Sequence, residues 1–358
     1  RNIRTDMEID FDGGASISTN GGLTYKWDFD SDGAYDETGR TTTWSYSTAG
    51  NYDVTLTVSD GTDSSSQTRS LKVIDADAQE PYADAGSYSP NSDCDGDSPS
   101  SGQYYLVFIC EMDRSTSSKS ISATTSVTLD ASNSEACEDD SQNCDDYISE
   151  YRWDLDLQLD EDGDGDKEND ADLAGQTVEW KELEPGEYKI ALTVTNGEGL
   201  SATDEVIVYV NYVGRWNDIS IGGNTSNSPI DIDFSFPSTQ NTDSGNTIKR
   251  AAGELVYPKE DEDCTDVVWG DGSNCRAKID LYGFNSTDEQ VANTSAIGVE
   301  QRTYGDCDEN TDCVWLQFTG SYHFAESQWK DGEWTMTIRN EMVNDLEIES
   351  LTIRLLYK

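Results

Sequence analysis

The sequence predicts an all-β protein composed of several antiparallel sandwiches. Helical periodicity is nearly absent, and short runs in which apolar and polar residues alternate dominate the chain. Alternation with a period of two, rich in Val, Ile, Thr and Tyr and bounded by Gly, Asn and Asp, is typical of strands with one buried face. Many short strands at close spacing are typical of β-sandwiches. The clearest predicted strands are Asn51–Asp60, Tyr188–Asn196, Asp204–Tyr212, Trp334–Asn340 and Ser350–Tyr357.

Length and charge narrow the possible classes of protein. The chain has 358 residues, enough for about two or three domains. It carries 23 basic and 72 acidic residues, a formal net charge of −49, which disfavours binding to nucleic acid and to anionic membranes. Because 34% of the residues are hydrophobic and 9 are tryptophan, we expect folded domains rather than disorder. No run approaches the ~20 apolar residues of a membrane-spanning helix.

Cysteine usage indicates an oxidising compartment. The eight cysteines lie close together in pairs, no CxxC zinc pattern occurs, and there is one histidine. We expect four local disulfides in an extracellular or cell-surface protein, while eight cysteines allow about 105 pairings. The sequence begins at Arg1 with neither a methionine nor a signal peptide, which indicates a processed or truncated chain. The expected pairs are Cys94 with Cys110, Cys137 with Cys144, Cys264 with Cys275 and Cys307 with Cys313, and sequons for glycosylation begin at Asn224, Asn285 and Asn293.

One pattern occurs twice in the first 212 residues. In each copy, a strand that ends in an aspartate precedes a Y-x-W-D strand, and a G-x-Y strand follows. The second copy is ten residues longer between its tryptophan and its tyrosine, and the extra residues lie in an acidic loop. Insertions between matched strands are typical of loops on a common scaffold. The matched residues are Asp12 with Asp130, Trp27 with Trp153 and Tyr52 with Tyr188.

The stretches "LTYKWDFDSDG" and "AGNYDVTLTVSDG" resemble a polycystic-kidney-disease (PKD) type domain, and "YRWDLD" with "PGEYKIALTVTNG" resembles it again. The resemblance covers roughly residues 6–75 and 80–212, and both copies depart from the family's "GDG" loop. It implies tandem immunoglobulin-like β-sandwiches, at residues 1–76 and 77–212. Modules of this family are mostly spacers and surface modules, so the resemblance implies no enzymatic activity.

The two copies differ at their start. Pro81–Gly86 is predicted as the opening strand of the second copy, whereas the first copy begins almost at its second strand. Its opening strand is therefore predicted to be missing. Either the upstream sequence has been cut away, or a strand from a neighbouring subunit fills the open edge in an assembly. The assembly predicts a foreign strand beside Ile9–Asp12.

The remainder, residues 213–358, resembles at its end the close of a proprotein-convertase P-domain, a jelly-roll β-sandwich. The resemblance is confined to about thirty residues, and Leu351 stands where the family has a tryptophan. It implies a third, jelly-roll module. The residues that carry it are Gly332, Trp334, Met336 and Ile338 in one strand and Leu346, Ile348, Ser350, Leu351 and Ile353 in the next.

Two acidic loops are candidate calcium sites. Each has a D-x-D-x-D-G spacing, and carboxylates at alternate positions with a glycine at the bend are a common way for a loop to hold a hard cation. The first loop is not an EF-hand, because Gly39 stands where that motif needs a glutamate. A solvated acidic loop is the alternative, and Asp28 and Asp154 also fit a role as caps of backbone amides. The candidate ligands are Asp28, Asp30, Asp32 and Asp36 in the first loop and Asp160, Asp162, Asp164, Asp166, Glu168 and Asp170 in the second.

Catalysis finds little support. His323 is the one histidine, no G-x-S-x-G nucleophile motif exists, and all cysteines are expected to be paired. We therefore predict that the chain is not an enzyme. Aromatic residues at a surface would instead offer a contact for polysaccharide, although most aromatics in sandwiches are core. The candidates are Tyr104, Tyr105, Trp216, Trp269 and Trp315.

These observations predict a secreted or cell-surface structural or adhesive protein, with an extracellular filament or surface coat as one setting. Its expected partners are other copies of itself, other surface proteins and polysaccharide, with calcium as the expected ion. The alternative is a non-catalytic accessory region of a secreted protease or other hydrolase. An upstream protease domain in the parent gene would favour that alternative.

Overall fold

The computed structural model describes residues 3–19, 21–138, 144, 146–159, 167, 170–224, 228–238, 240–241, 246–259, 276–319 and 332–358. The elements within these ranges are β-strands and one 3-10 turn, Val299–Gln301, which confirms the predicted all-β class. The chain divides into two compact units. Unit 1 comprises residues 1–82, 135–149 and 195–202, and unit 2 comprises residues 83–134, 150–194 and 203–358.

The first sandwich has seven strands in two sheets. One sheet has the order β1-β7-β6-β3-β4, and β2 pairs with β5 in the other. Trp27, Phe29 and Tyr46 are buried between the sheets. The hydroxyl of Tyr52 donates to the carbonyl of Thr48 (2.8 Å), a tyrosine corner of the immunoglobulin-like fold. The strands are β1 (Ile3–Arg4), β2 (Ile9–Asp12), β3 (Thr24–Asp28), β4 (Glu37–Thr38), β5 (Thr41–Trp44), β6 (Gly50–Ser59) and β7 (Ser64–Ile74).

The second sandwich repeats this arrangement, as the internal repeat predicted. Asp130 pairs with Thr177 as Asp12 pairs with Thr41. The Tyr188 hydroxyl donates to a carbonyl four residues earlier (2.9 Å), which reproduces the tyrosine corner. The strands are β8 (Tyr105–Arg114), β9 (Thr125–Asp130), β10 (Ile148–Asp154), β11 (Leu173–Ala174), β12 (Thr177–Leu183), β13 (Gly186–Asn196) and β14 (Ser201–Ile221).

Both predictions about the opening strands were wrong. The first copy does have an opening strand, because β1 pairs in parallel with the end of β7, Ile3 opposite Val73. In the second copy, Pro81–Gly86 forms one bridge through Tyr82 and no strand. The corresponding place beside β14 belongs to β8, which also pairs in parallel. The interposed segment that carries Cys94 moves the strand further along the chain than the sequence pattern indicated.

A 21-residue strand, β14, runs through both the second sandwich and the third module. It neighbours β13 in the eight-stranded sheet and pairs with β23 from Tyr212 to Ile221. The predicted boundary between residues 212 and 213 therefore falls inside one continuous strand. The three-domain division itself stays a prediction.

The third module is a two-sheet antiparallel sandwich. The extended sheet continues from β14 through β23, β18 and β21, and the second sheet has the order β15-β22-β19-β20. Gly253 permits their close approach, because a Cβ there would lie 1.9 Å from Sδ of Met336. The two strands expected from the P-domain resemblance are confirmed as strands, while the P-domain assignment stays a prediction. The remaining strands are β15 (Ile230–Ser238), β16 (Gln240–Asn241), β17 (Asn246–Thr247), β18 (Arg250–Pro258), β19 (Ile279–Phe284), β20 (Gln290–Asn293), β21 (Thr311–Thr319), β22 (Gly332–Asn340) and β23 (Leu346–Leu356).

Disulfides join three of the expected cysteine pairs. Cys94 is bonded to Cys110 on β8, with 5.5 Å between their Cα atoms. The other two bonds are local to their loops, and together the three cross-links support an oxidising environment. Cys264 and Cys275 lie outside the described residues. The local pairs are Cys137 with Cys144 and Cys307 with Cys313.

A buried ion pair holds the third module's 3-10 turn. Arg302 is fully buried, and its guanidinium is bonded to Asp280 and donates to the hydroxyl of Tyr257 (2.8 Å). The Asp280 carboxylate also accepts from Thr294 (2.9 Å). A buried charge is tolerated when it is paired and hydrogen-bonded, so this network ties the loop before β21 to β18 and β19.

Replacing Arg302 by methionine should lower the free energy of unfolding by about 3–5 kcal/mol, because the buried Asp280 would keep as its charge partner only the partly exposed Lys278 ammonium, 3.6 Å away. Denaturant unfolding of the full chain measures this loss. Lys181→Met is the control: it removes an ion pair between exposed side chains, so it should change stability little. Equal effects of the two variants would contradict the structural role assigned to Arg302.

Candidate functional site

Each sandwich presents an aspartate directly after its buried tryptophan. In the first, the Trp27 indole donates to the carbonyl of Gly39 (2.9 Å). In the second, the Trp153 indole donates to Gly175 (3.0 Å). This bond draws the returning β4 or β11 segment against the strand that carries the tryptophan. The loop between them is thereby closed at the same place in both copies.

In the first sandwich, three of the four predicted ligands come together. Oxygen atoms of Asp28, Asp30 and Asp36 lie within 4.8 Å of one another. Asp32 is not in this group, and its carboxylate accepts from the backbone of Ala34 (2.7 Å). The loop spacing therefore identified a real cluster of carboxylates, while its binding of calcium stays a prediction.

Asp28 also has the capping role that the sequence left open. Its Oδ1 accepts from the backbone N–H of Ser31 (2.7 Å), and its Oδ2 accepts from that of Gly33 (3.1 Å). Gly33 has φ +85°, a conformation that glycine adopts readily and that lets its N–H approach the carboxylate. Both oxygens of this buried side chain are satisfied within the loop.

The second sandwich contains the same positions at different spacing. The Leu155 N–H donates to Asp172 Oδ2 (2.7 Å), as the Phe29 N–H donates to Asp36 Oδ2 (2.7 Å). The Asp172 N–H in turn donates to the carbonyl of Trp153 (3.0 Å). Asp172 is therefore the structural counterpart of Asp36, although the loop before it is much longer.

The structure thus points to Asp154, Asp156 and Asp172 as counterparts of the first cluster. The repeated D-x-D-x-D-G spacing lies further along the loop than these residues. The signal that identifies the counterparts is the shared W-D-x-D run after each Y-x strand. Of the ligands predicted for the second loop, Asp170 is described and is buried. Asp160, Asp162, Asp164, Asp166 and Glu168 lie outside the described residues.

Asp154 differs from its counterpart in how its oxygens are satisfied. The side chain is 2% exposed, and its Oδ1 accepts from the backbone N–H of Asp156 (3.0 Å). Its Oδ2 is buried without a hydrogen-bond partner. Burial, together with the charges of Asp172, Asp170 and Asp156, raises the pKa of Asp154 from 3.8 to about 6, although the hydrogen bond from the Asp156 N–H acts to lower it.

The aromatic residues considered for polysaccharide binding are mostly not available. Tyr105 and Trp216 are buried in the core, which corrects their candidacy as a surface platform. Tyr104 packs edge-on against Tyr209 (5.6 Å between ring centroids). Trp315 is half-buried beside Tyr304. Trp269 and His323 lie outside the described residues.

The three sequons differ in their surroundings. Asn285 is buried, and its Oδ1 accepts from the backbone N–H of Thr287 (3.0 Å). Asn293 is exposed at the end of β20. Asn224 accepts from the backbone N–H of Ser228 (3.0 Å). Glycosylation at these positions stays a prediction, and exposure favours Asn293 over Asn285 as an acceptor.

A cavity of 640 Å³ lies in the first sandwich, between β2 and β7. Its wall includes Phe11, Leu56 and Leu71. Among the described residues, β1 pairs with the end of β7 and β2 pairs with β5 alone. A free edge therefore remains beside β2, and the foreign strand expected there stays a prediction.

Comparison with known proteins supports a PKD-type domain at the start of the chain. A family model described as a PKD domain matches residues 1–74, which is the first sandwich. No curated protein matches the chain. Among the described residues, no helix is long and apolar enough to cross a membrane.

Solved structures that resemble the chain include fibronectin(III)-like modules of Clostridium thermocellum CbhA, at 10% identity and a TM-score of 0.32, covering 59% of this chain and 89% of that one. Carbohydrate-binding modules of the β-sandwich superfamily match at 14% identity and a TM-score of 0.27, covering 78% and 97%. Titin I-band fragment I67–I69 matches at 10% identity and a TM-score of 0.24, covering 96% and 91%.

Ionisation of Asp154 should make stability depend on pH when no metal ion is present. Because the folded pKa of about 6 exceeds the ordinary value of 3.8, the folded state holds a proton that the unfolded state releases. The free energy of unfolding should therefore fall as pH rises from about 4 to about 6, by up to about 3 kcal/mol from this group.

Urea unfolding at a series of pH values, with a chelator present, measures this dependence. The quantity compared is the difference in free energy of unfolding between the wild type and Asp154→Asn. The control, Glu205→Gln, removes a negative charge at an exposed position on β14. If the stability difference between the wild type and Glu205→Gln depends on pH in the same way, the assignment to Asp154 is contradicted.

Proposed function

We propose that the chain is an extracellular, non-catalytic structural protein in which the second sandwich and the third module act as one stiff piece. The observation that carries the proposal is the continuity of β14 across both. Domains of modular proteins are ordinarily joined by exposed, flexible linkers where few contacts cross. Here the backbone of a single strand takes the linker's place.

Pairing on both sides of β14 supports this stiffness. β8 pairs with it from Val208 to Trp216, and β23 pairs with it from Tyr212 onward. The segment around Tyr212 is thus hydrogen-bonded along both edges, so a bend there would break ladder bonds on each side. A hinge at this point would leave backbone groups unpaired, which is costly in a buried segment.

The disulfide on β8 reinforces the same region. Cys94 joins Cys110, which pairs with Val213 of β14. The bond therefore anchors the preceding segment to the strand that joins the two modules. Disulfides persist in oxidising environments, which supports an extracellular or cell-surface location and suits a protein that must keep its shape outside the cell.

The proposed partners are other copies of the chain and other surface proteins, with the free edge beside β2 as the contact in the first sandwich. An exposed edge can accept a further strand through its backbone. Polysaccharide is a further proposed partner, for which the half-buried Trp315 and the 73% exposed Tyr304 offer aromatic surface.

The stiff piece should unfold in one cooperative transition. Ile190, in the second sandwich, and Leu281, in the third module, are both fully buried. Ile190→Ala and Leu281→Ala should therefore shift the same calorimetric transition to lower temperature. Each should lower the free energy of unfolding by about 2–5 kcal/mol. Val54→Ala, in the core of the first sandwich, serves as the control and should act on unit 1. Two separate transitions, each shifted by one of the unit 2 variants, would contradict the proposal.

The proposed location predicts that an antibody raised against the folded chain labels intact cells of its source. Immunofluorescence before and after permeabilisation measures this. Surface labelling without permeabilisation is expected, because the disulfides require an oxidising compartment. Labelling that appears after permeabilisation alone would place the protein inside the cell and overturn the proposal.

A further inference from the structure

Asp154 Oδ2 is a buried carboxylate oxygen that no hydrogen-bond donor satisfies. Buried polar atoms in folded proteins are nearly always hydrogen-bonded, and each exception needs a physical reason. A buried charge without a partner is more costly still. Asp154 is 2% exposed, so bulk water is not a hydrogen-bond partner of this oxygen.

The surroundings of this oxygen are acidic. The charges that act on Asp154 come from Asp172, Asp170 and Asp156. The salt bridges between described residues include none to Asp154, Asp156 or Asp172. None of Asp154, Asp156 and Asp172 therefore has a described basic side chain to balance its charge, and the neighbouring carboxylates make a charge on the buried Asp154 more costly. Such repulsion grows with burial, because the effective dielectric constant falls.

We propose that a divalent cation binds the second sandwich at Asp154, Asp156, Asp170 and Asp172. The ligand chemistry favours calcium, which takes about 6–8 oxygen ligands from carboxylates, carbonyls and water in flexible geometry. The ion accepts the lone pair of Asp154 Oδ2 and offsets the mutual repulsion of the carboxylates. This assignment replaces the loop ligands expected from spacing with residues at the base of the loop.

The first sandwich provides an internal comparison. Asp28, Asp30 and Asp36 occupy the same positions and lie within 4.8 Å of one another. There, however, the Gly33 N–H occupies the Asp28 oxygen that corresponds to the unsatisfied one of Asp154. A short loop supplies this donor to the first copy. The longer second loop leaves the oxygen for a cation, so the second sandwich binds the ion more tightly than the first.

The ion would act on the base of the loop between β10 and β11. Asp154 ends β10, and Asp172 immediately precedes β11, which starts at Leu173. A cation shared by these two carboxylates would therefore fasten the two strands together at the loop end of the hairpin. This inference is independent of the proposed role of β14, since it concerns the loop and not the join between modules.

The test uses the full chain, freed of metal with a chelator, at pH 7.5 and constant ionic strength. Calorimetry with and without added CaCl₂ reports stability, and isothermal titration reports affinity. We expect calcium to raise the unit 2 transition of the wild type, because an ion bound to the folded state stabilises it. Asp154→Asn and Asp156→Asn should each weaken calcium binding by about tenfold or more. The matched variant Asp30→Asn, in the first sandwich, should retain the tight site.

The effect of Asp154→Asn on stability should also change sign between chelator and calcium. In chelator it should be at least as stable as the wild type, because it removes a buried negative charge, and in calcium it should be less stable. Asp156 is exposed, so Asp156→Asn tests the site without disturbing the core. The inference is overturned if calcium leaves the wild-type transition unchanged, if both second-sandwich variants respond to calcium as the wild type does, or if KCl of matched ionic strength has the same effect as CaCl₂.

Discussion

The hydrogen bond from a buried tryptophan to a glycine carbonyl organises both immunoglobulin-like sandwiches. Trp27 bonds to Gly39 and Trp153 to Gly175, and in each case the bond joins the strand that carries the tryptophan to the segment returning from the loop. The aspartate after the tryptophan is therefore buried beside the returning aspartate, whatever the loop length. Because this join is constant, the backbone N–H that follows reaches the returning aspartate in both copies, from Phe29 to Asp36 and from Leu155 to Asp172.

Unit 2 depends on a second constraint, the continuity of β14. Because β14 passes through both, the second sandwich and the third module share one sheet. Partners along both edges of the strand oppose bending at that point. The third module then closes by packing Met336 and its neighbours against the extended sheet, where Gly253 leaves room for them. The proposed cation site and most of the shared strand lie in the same compact unit but rest on separate contacts.

The sequence was informative where the relevant residues are close together. Alternation located β6, β13 and β22 nearly at their ends, because side chains in a strand alternate between a buried and an exposed face. Local spacing likewise grouped Asp28 with Asp36, since a short loop keeps its ligands near one another. Local spacing does not relate Asp154 to Asp172 in the second copy, because strand pairing of Trp153 with Leu173 brings their segments together across a long insertion.

The all-β class, the repeated tryptophan and tyrosine positions and the local cysteine pairs follow from the amino-acid pattern, because each depends on neighbours a few residues apart. The opening strand β8, the passage of β14 through a predicted boundary and the burial of Arg302 and Asp154 depend on contacts between distant segments. Period-two alternation looks the same in a strand that ends with its module and in one that continues into the next. Which partner pairs with each edge, and which carboxylate loses its access to water, is settled when those segments pack together.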